Sequence, residues 1–142
     1  MKIVTLNEVS QQKVGKIVSN GVSLERHEYD TVLFLASHGF DIEFIRPRNE
    51  PKSANPDFLI SGAIWEAKSP IGSSKYTIQR KIHEAGHQAE RLILDLRRTR
   101  MAAATSEKEA LKRFGYSKRM KRMLLITRDG RLPYCEKTHI EH

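Results

Sequence analysis

Three residues within NPDFLISGAIWEAKSP, residues 55–70, have the types and spacing to do chemistry: Asp57, Glu66 and Lys68. Two carboxylates and an amine on one face can bind a divalent cation and activate a water molecule. A short hairpin would gather them. The runs PDFLI and AIWEAK flank Ser61-Gly62, and a two-residue link containing Gly between apolar runs is a tight hairpin signal, because Gly supplies the positive φ such turns need. With that loop, Ile60 pairs with Ala63, Leu59 with Ile64, Phe58 with Trp65 and Asp57 with Glu66. Paired residues share a face, so Lys68 joins the two carboxylates, while Phe58, Ile60, Trp65 and Ala67 face the core. A slip of one residue would undo the arrangement. Like charges set opposite each other call for compensation, which a hard cation gives fully and the Lys68 ammonium in part. The bland alternative is a solvated edge hairpin with an ordinary Glu-Lys pair.

The elements that must position this hairpin follow from the pattern around it. KIVTL and KVGKIVS alternate as strands do, and Asn20-Gly21 signals a turn, so residues 1–22 read as an N-terminal strand, hairpin or arm. Ser23 is placed to cap a helix with Glu25 in its first turn; Tyr29, Val32, Leu33 and Ala36 form its apolar stripe, and Gly39 ends it. DIEFIR alternates as a strand with Ile42 and Phe44 on one face. Pro47 to Pro56, with three prolines, reads as a loop. The spacing of Ile78, Ile82, Ala85, Ala89, Leu92, Ile93 and Leu96 predicts one long helix over 75–101, its C-terminal dipole met by Arg97, Arg98 and Arg100. Ser106-x-x-Glu109 predicts a capping box and a second helix ending at Gly115. MLLIT is a strand, Asp129-Gly130 a hairpin turn, and Leu132 to Tyr134 a short strand. The expected order is helix, three strands, two helices, two strands: a small α/β or α+β fold around a mixed sheet, in one domain over 23–142 after the arm.

Bulk properties narrow the function classes. At 142 residues, 39% apolar and 30% charged, the chain can build a hydrophobic core. No run approaches the roughly 20 apolar residues of a membrane span, and the N-terminus lacks the apolar centre of a signal peptide. The single cysteine, Cys135, excludes an internal disulfide and reads as an apolar filler. A net charge of +8, from 25 Lys and Arg against 17 Asp and Glu, favours a polyanionic partner, nucleic acid first. The basic residues concentrate late, as Arg97, Arg98 and Arg100, then Lys112, Arg113, Lys118, Arg119, Lys121 and Arg122.

A second motif competes. His83-Glu84-Ala85-Gly86-His87 matches H-E-x-x-H, the zinc-protease pattern of two imidazoles one helical turn apart with a Glu as general base. On the helical wheel, however, both histidines lie opposite the apolar stripe, and the extended form of the motif is absent, with Glu90 and Ile93 where Gly and His would stand. Exposed histidines, phosphate contact or proton transfer are the other readings.

The residues Pro56-Asp57 and Glu66-Ala67-Lys68, set between two amphipathic helices, resemble the PD-(D/E)xK nuclease superfamily. Its core order of helix, three strands, helix and strand covers residues 23 to 127. A closer resemblance is to the nuclease toxin domains at the C-termini of contact-dependent growth-inhibition proteins. It runs from His27-Glu28 through the hairpin to TIQRKIHEAGHQAERLILDLR and RMLLITRDG. This implies a restriction-endonuclease-like core and a metal-dependent ribonuclease acting on tRNA, with DNA cleavage in some relatives; a non-catalytic basic nucleic-acid-binding module is the rival from another class. Asp57 and Glu66 would be metal ligands for Mg²⁺ or Mn²⁺, with Zn²⁺ as a third option. Lys68 would orient or deprotonate the attacking water, and Glu28, with Glu25 as the fallback, would complete the shell. Gln88 would position substrate or lysine, with Arg97, Lys118 and Arg119 on the nucleic acid. The resemblance also implies an acidic immunity protein as partner and action in the cytoplasm, that of a target cell if the chain is a toxin domain delivered within a larger protein, with a stand-alone relative as the alternative.

Overall fold

Short apolar runs, alternating in some strands and continuous in others, build the sheet, and what they pair with divides the chain. The computed structural model describes residues 1–45, 57–87 and 89–138. It forms two compact units: Met1–Leu6 with Glu66–His142, and Asn7–Trp65.

In the unit 7–65, β2 (Ile17–Val18) lies parallel to β3 (Ile42–Ile45), which is antiparallel to β4 (Asp57–Ile60), which is antiparallel to the first half of β5 (Ala63–Lys68). Helix α1 (Arg26–Ser37) precedes β3. The expected faces of β3 and the hairpin are observed: Ile42, Phe44, Phe58, Ile60 and Trp65 are buried, and the Phe44 and Phe58 rings meet edge to face at 5.6 Å. Gly15 cannot be anything larger, since a Cβ there would lie 1.7 Å from the Phe40 carbonyl oxygen. Helix α1 corrects two expectations. Its cap is Glu25, not Ser23: Glu25 and Glu28 form a reciprocal capping box, with the Glu25 amide donating to Glu28 Oε1 at 2.9 Å. Its buried stripe is Val32, Leu35 and Ala36, and Tyr29 and Leu33 are exposed.

In the other unit the second half of β5 lies parallel to β6 (Arg91–Asp95), which is parallel to β7 (Arg122–Ile126). β8 (Leu132–Glu136) is antiparallel both to β7 and to β1 (Lys2–Leu6). Helix α2 (Lys75–Gly86) links β5 to β6, and α3 (Ala103–Tyr116) links β6 to β7, as parallel neighbours require long crossovers. Since β5 is shared, the hydrogen-bonded order runs β1-β8-β7-β6-β5-β4-β3-β2, a mixed sheet in an α+β fold. The N-terminal strands β1 and β2 pair with distant partners rather than with each other.

The single helix expected over 75–101 is not formed. It stops at Gly86, and Arg91–Asp95 is a strand. Leu92, Ile93 and Leu94 are all fully buried, as in a parallel strand covered on both faces, and a continuous apolar run satisfies a helical wheel as readily as a buried strand. Arg97, Arg98 and Arg100 therefore follow a strand and not a helix C-terminus. Helix α3 also starts earlier than expected. Ser106 is buried inside it and donates to the Ala103 carbonyl, and Glu109 accepts from Gln79 and Arg113, so Ser106-x-x-Glu109 is no capping box. The core of this unit lies where α2 and α3 meet β6 and β7, around Ile78, Ile82, Leu92, Phe114, Met123 and Leu125.

Candidate active site

The turn that sets the hairpin register is built as expected. Ser61 (φ 52°) and Gly62 (φ 80°) both occupy the left-handed region, as a two-residue mirror-type turn requires. Of the four expected pairs, Ile60–Ala63, Leu59–Ile64 and Phe58–Trp65 form, and the β4–β5 ladder ends before the fourth, Asp57–Glu66. Asp57 opens β4, half-buried, and pairs across to Ile45 of β3. Glu66 is the first residue of β5 to pair with β6, opposite Leu92. Asp57 and Glu28 thus belong to the unit 7–65, and Glu66 and Lys68 to the other.

Two residues apart on one strand, Glu66 and Lys68 share a face. Lys68 Nζ lies 3.3 Å from Glu66 Oε1 and 3.9 Å from Glu84 Oε2, and the Lys68 side chain is only 19% exposed. Lys81 also reaches Glu84, at 3.8 Å. The amine therefore sits between two carboxylates, one from its own strand and one from α2. Glu84 escaped the sequence reading as a partner of Lys68. It is the Glu of the H-E-x-x-H run, and only the packing of α2 beside β5 shows that it turns to the lysine. Ser69, directly after Lys68, has a buried hydroxyl with no hydrogen-bond partner among the described residues.

The remaining expected residues are dispersed. Arg97 forks onto the buried Asp95 at the end of β6, with Nε 3.0 Å from Oδ1 and a terminal nitrogen 2.9 Å from Oδ2. Lys118 and Arg119 are exposed just after α3. Gln88 lies outside the described residues. His83 and His87 are exposed, as the wheel predicts, with their Nε2 atoms 3.2 Å apart. Gly86 packs closely, a Cβ there coming within 3.1 Å of Ser117 Oγ.

The donor chemistry suits a hard cation at the carboxylates. Among the described residues no three His, Cys, Asp or Glu side chains converge as a ready-made metal cage. Mg²⁺ does not demand one, since it commonly takes one or two carboxylates and completes its shell with water and phosphate oxygens.

A mixed α+β fold carrying a carboxylate-flanked lysine on a hairpin defines a class of small domain, and comparison with known proteins gives the family. The family model for the contact-dependent growth inhibition CdiA C-terminal domain matches residues 53–132. The chain belongs to this family of toxin domains. The fold also matches a solved structure, the CdiA-CT/CdiI toxin and immunity complex from Burkholderia pseudomallei, at a TM-score of 0.65 and 16% identity, covering 87% of this chain and 100% of that one. No curated protein matches. Among the described residues no helix is long and apolar enough to cross a membrane.

Proposed function

We propose that this toxin domain is a metal-dependent nuclease that hydrolyses phosphodiester bonds in RNA, tRNA foremost. The observation that carries the reading is the Ser61-Gly62 turn with its three registered pairs, leading into a Lys68 flanked by Glu66 and Glu84. Asp57 and Glu66 are the ligands for Mg²⁺ or Mn²⁺, and Glu28 is the third carboxylate offered by the resemblance. When bound, the ion polarises the scissile phosphate and lowers the pKa of a coordinated water. The Lys68 ammonium donates hydrogen bonds to the phosphate oxygen that gains charge and orients the attacking water. Glu66 and Glu84 fix its position. Lys118 and Arg119 hold the nucleic-acid backbone, with counterion release as the driving term; Arg97 and Gln88 complete the substrate contacts. The partner is an immunity protein. The structural neighbour is a toxin and immunity complex, and a net charge of +8 fits an acidic surface on that partner. Delivery within a larger protein and action in the recipient's cytoplasm belong to the same reading.

The test is cleavage of tRNA and of duplex DNA under Mg²⁺, Mn²⁺ and Zn²⁺ by wild type, Asp57→Asn, Glu66→Gln and Lys68→Ala. Metal-dependent tRNA cleavage lost in all three variants is expected. Wild type inert under every metal would end the enzyme reading, and an active Lys68→Ala would show the site to be misplaced. Preferential cutting of DNA would move the substrate. Casein hydrolysis abolished by His83→Ala would install the protease instead.

A further inference from the structure

Between α2 and α3 lies a groove of about 790 Å³, with neither Glu66 nor Lys68 among its lining residues. Arg80, Lys118 and Arg119 on its walls are exposed, and Arg113 also lines it. No carboxylate is among its lining residues. Tyr76 and Tyr116 line the same groove and are each 66% exposed. Each ring has a cation of its own chain beside it, Lys75 Nζ 5.7 Å from the centre of Tyr76 and the Arg113 guanidinium 5.6 Å from that of Tyr116, so the pair offers charge and flat faces together, the combination that suits a ligand with phosphates and bases. A second groove shares Tyr116, Ser117 and Lys118 with the first; Lys121, Arg122, Lys137 and one carboxylate, Glu136, also line it, and Glu136 pairs with Arg122 at 2.9 Å, so Lys121 and Lys137 carry the basic track on along the end of α3.

We infer that this track binds single-stranded nucleic acid, with phosphates on Arg80, Lys118 and Arg119 and unstacked bases on Tyr76 and Tyr116. Cationic grooves with aromatic platforms are how single strands are held without reading sequence, because every base has a face to stack. A duplex keeps its bases stacked inside and offers such tyrosines nothing. His83 and His87 stand on the wall of the same groove with their Nε2 atoms 3.2 Å apart. Two imidazoles so placed could chelate a transition metal, but lining cations without a lining carboxylate set the local field against a cation and in favour of an anion. The H-E-x-x-H run is thereby divided. Its Glu serves Lys68, and its histidines belong to the anion groove.

The inference rests on the nucleic-acid half of the proposed function and not on the cleavage half, so binding is measured without turnover. Fluorescence anisotropy of labelled eight-nucleotide single-stranded RNA and DNA is followed with the Lys68→Ala protein, alone and with Tyr76→Ala, Tyr116→Ala or both. Each tyrosine is expected to cost roughly fivefold or more in Kd. The slope of log K against log salt should be about −2, the value for three phosphates at about 0.7 each. Comparable RNA and DNA affinities support the groove as a general single-strand site, and a preference for RNA supports it as part of a ribonuclease. Unchanged melting temperatures show that the exposed-site variants fold. The inference is overturned if the double variant binds within twofold of its parent, or if an eight-base-pair duplex binds as tightly. It is also overturned if an octaglutamate peptide matches the single strands, which would assign the groove to an acidic protein partner.

Discussion

Lys68 is held unequally by its two carboxylates. Glu66 is nearer, at 3.3 Å, and its side chain is 26% exposed, whereas Glu84 is 3.9 Å away and 45% exposed. An ion pair open to water is worth about 0.2–1 kcal/mol, so Glu84 trims the position of the amine rather than fixing it alone. Glu84→Gln should therefore lower cleavage no more than about fivefold, against the roughly hundredfold or greater loss expected of Lys68→Ala, which removes the donor to the phosphate oxygen that gains charge. A Glu84→Gln loss equal to that of Lys68→Ala, in steady-state kinetics, would make Glu84 a member of the reacting set. Glu28 poses a sharper question, because its carboxylate already accepts the Glu25 amide in the capping box. Gln serves that box as well as Glu does, so Glu28→Gln keeps the cap and removes the charge. With Glu28 in the metal shell, cleavage falls about tenfold or more, while stability drops only by the roughly 0.3–1 kcal/mol of its charge at the helix N-terminus. Full activity in the variant would leave Glu28 as a cap only.

At the scale of elements, the hairpin turn decides where the site residues point. Ser61 occupies a left-handed conformation, φ 52°, that costs most L-residues energy but suits Asn. Ser61→Asn should raise stability by about 0.5 kcal/mol, and Gly62→Val should lower it by about 1–2 kcal/mol, read from urea unfolding through the fluorescence of Trp65, the single tryptophan. Cleavage by Gly62→Val should fall further than the folded fraction does, since a register change turns Glu66 and Lys68 to the other face. A variant whose activity tracks its folded fraction would remove the register argument. This hairpin was legible because Gly punctuation and alternation are local, as they are for β3 and the turns at Asn20-Gly21 and Asp129-Gly130; β7, a continuous apolar run, was marked only by its short length before that last turn. What was not legible is what tertiary packing settles. Leu92, Ile93 and Leu94 carry no period of their own, so nothing local separated a buried strand from a helix. Ser106 and Glu109 had capping spacing, but Glu109 turns inward to Gln79 and Arg113. The strand partners of β1 and β2, and the meeting of Glu84 with Lys68, depend on residues far away in the chain.

At the scale of the whole molecule, the buried polar groups set how the fold responds to reagents and to pH. Burial, with the nearby charge of Glu107 adding to it, pushes the Cys135 thiol up to about 12. Since thiolate is the reactive form, a maleimide near neutral pH should label Cys135 only as fast as the unit opens, and labelling of the native protein at the rate seen in denaturant would contradict the core described around it. Acid tests a different group. Burial alone would raise the carboxyl of Glu109, which is 9% exposed, but hydrogen bonds from Arg113 and Gln79, aided by the charges of Arg113 and Lys112, outweigh it and hold the carboxyl below its usual value of 4.5. A carboxyl depressed on folding gives stability that is complete above its unfolded value and is lost as pH falls through its folded one. The urea midpoint should thus stay level down to about pH 5 and decline below about pH 4.5. Asp129, lowered by its hydrogen bonds to Arg131 and Thr127, and Glu136, lowered by its bond to Arg122, act in the same direction at the surface. Glu109→Gln removes the titrating charge but keeps an oxygen that can accept from Arg113. It should cost stability near pH 7 and much less near pH 3, where the wild-type carboxyl is itself being protonated. An equal cost at both values would mean that Glu109 contributes through packing, and that the acid response of α3 comes from elsewhere.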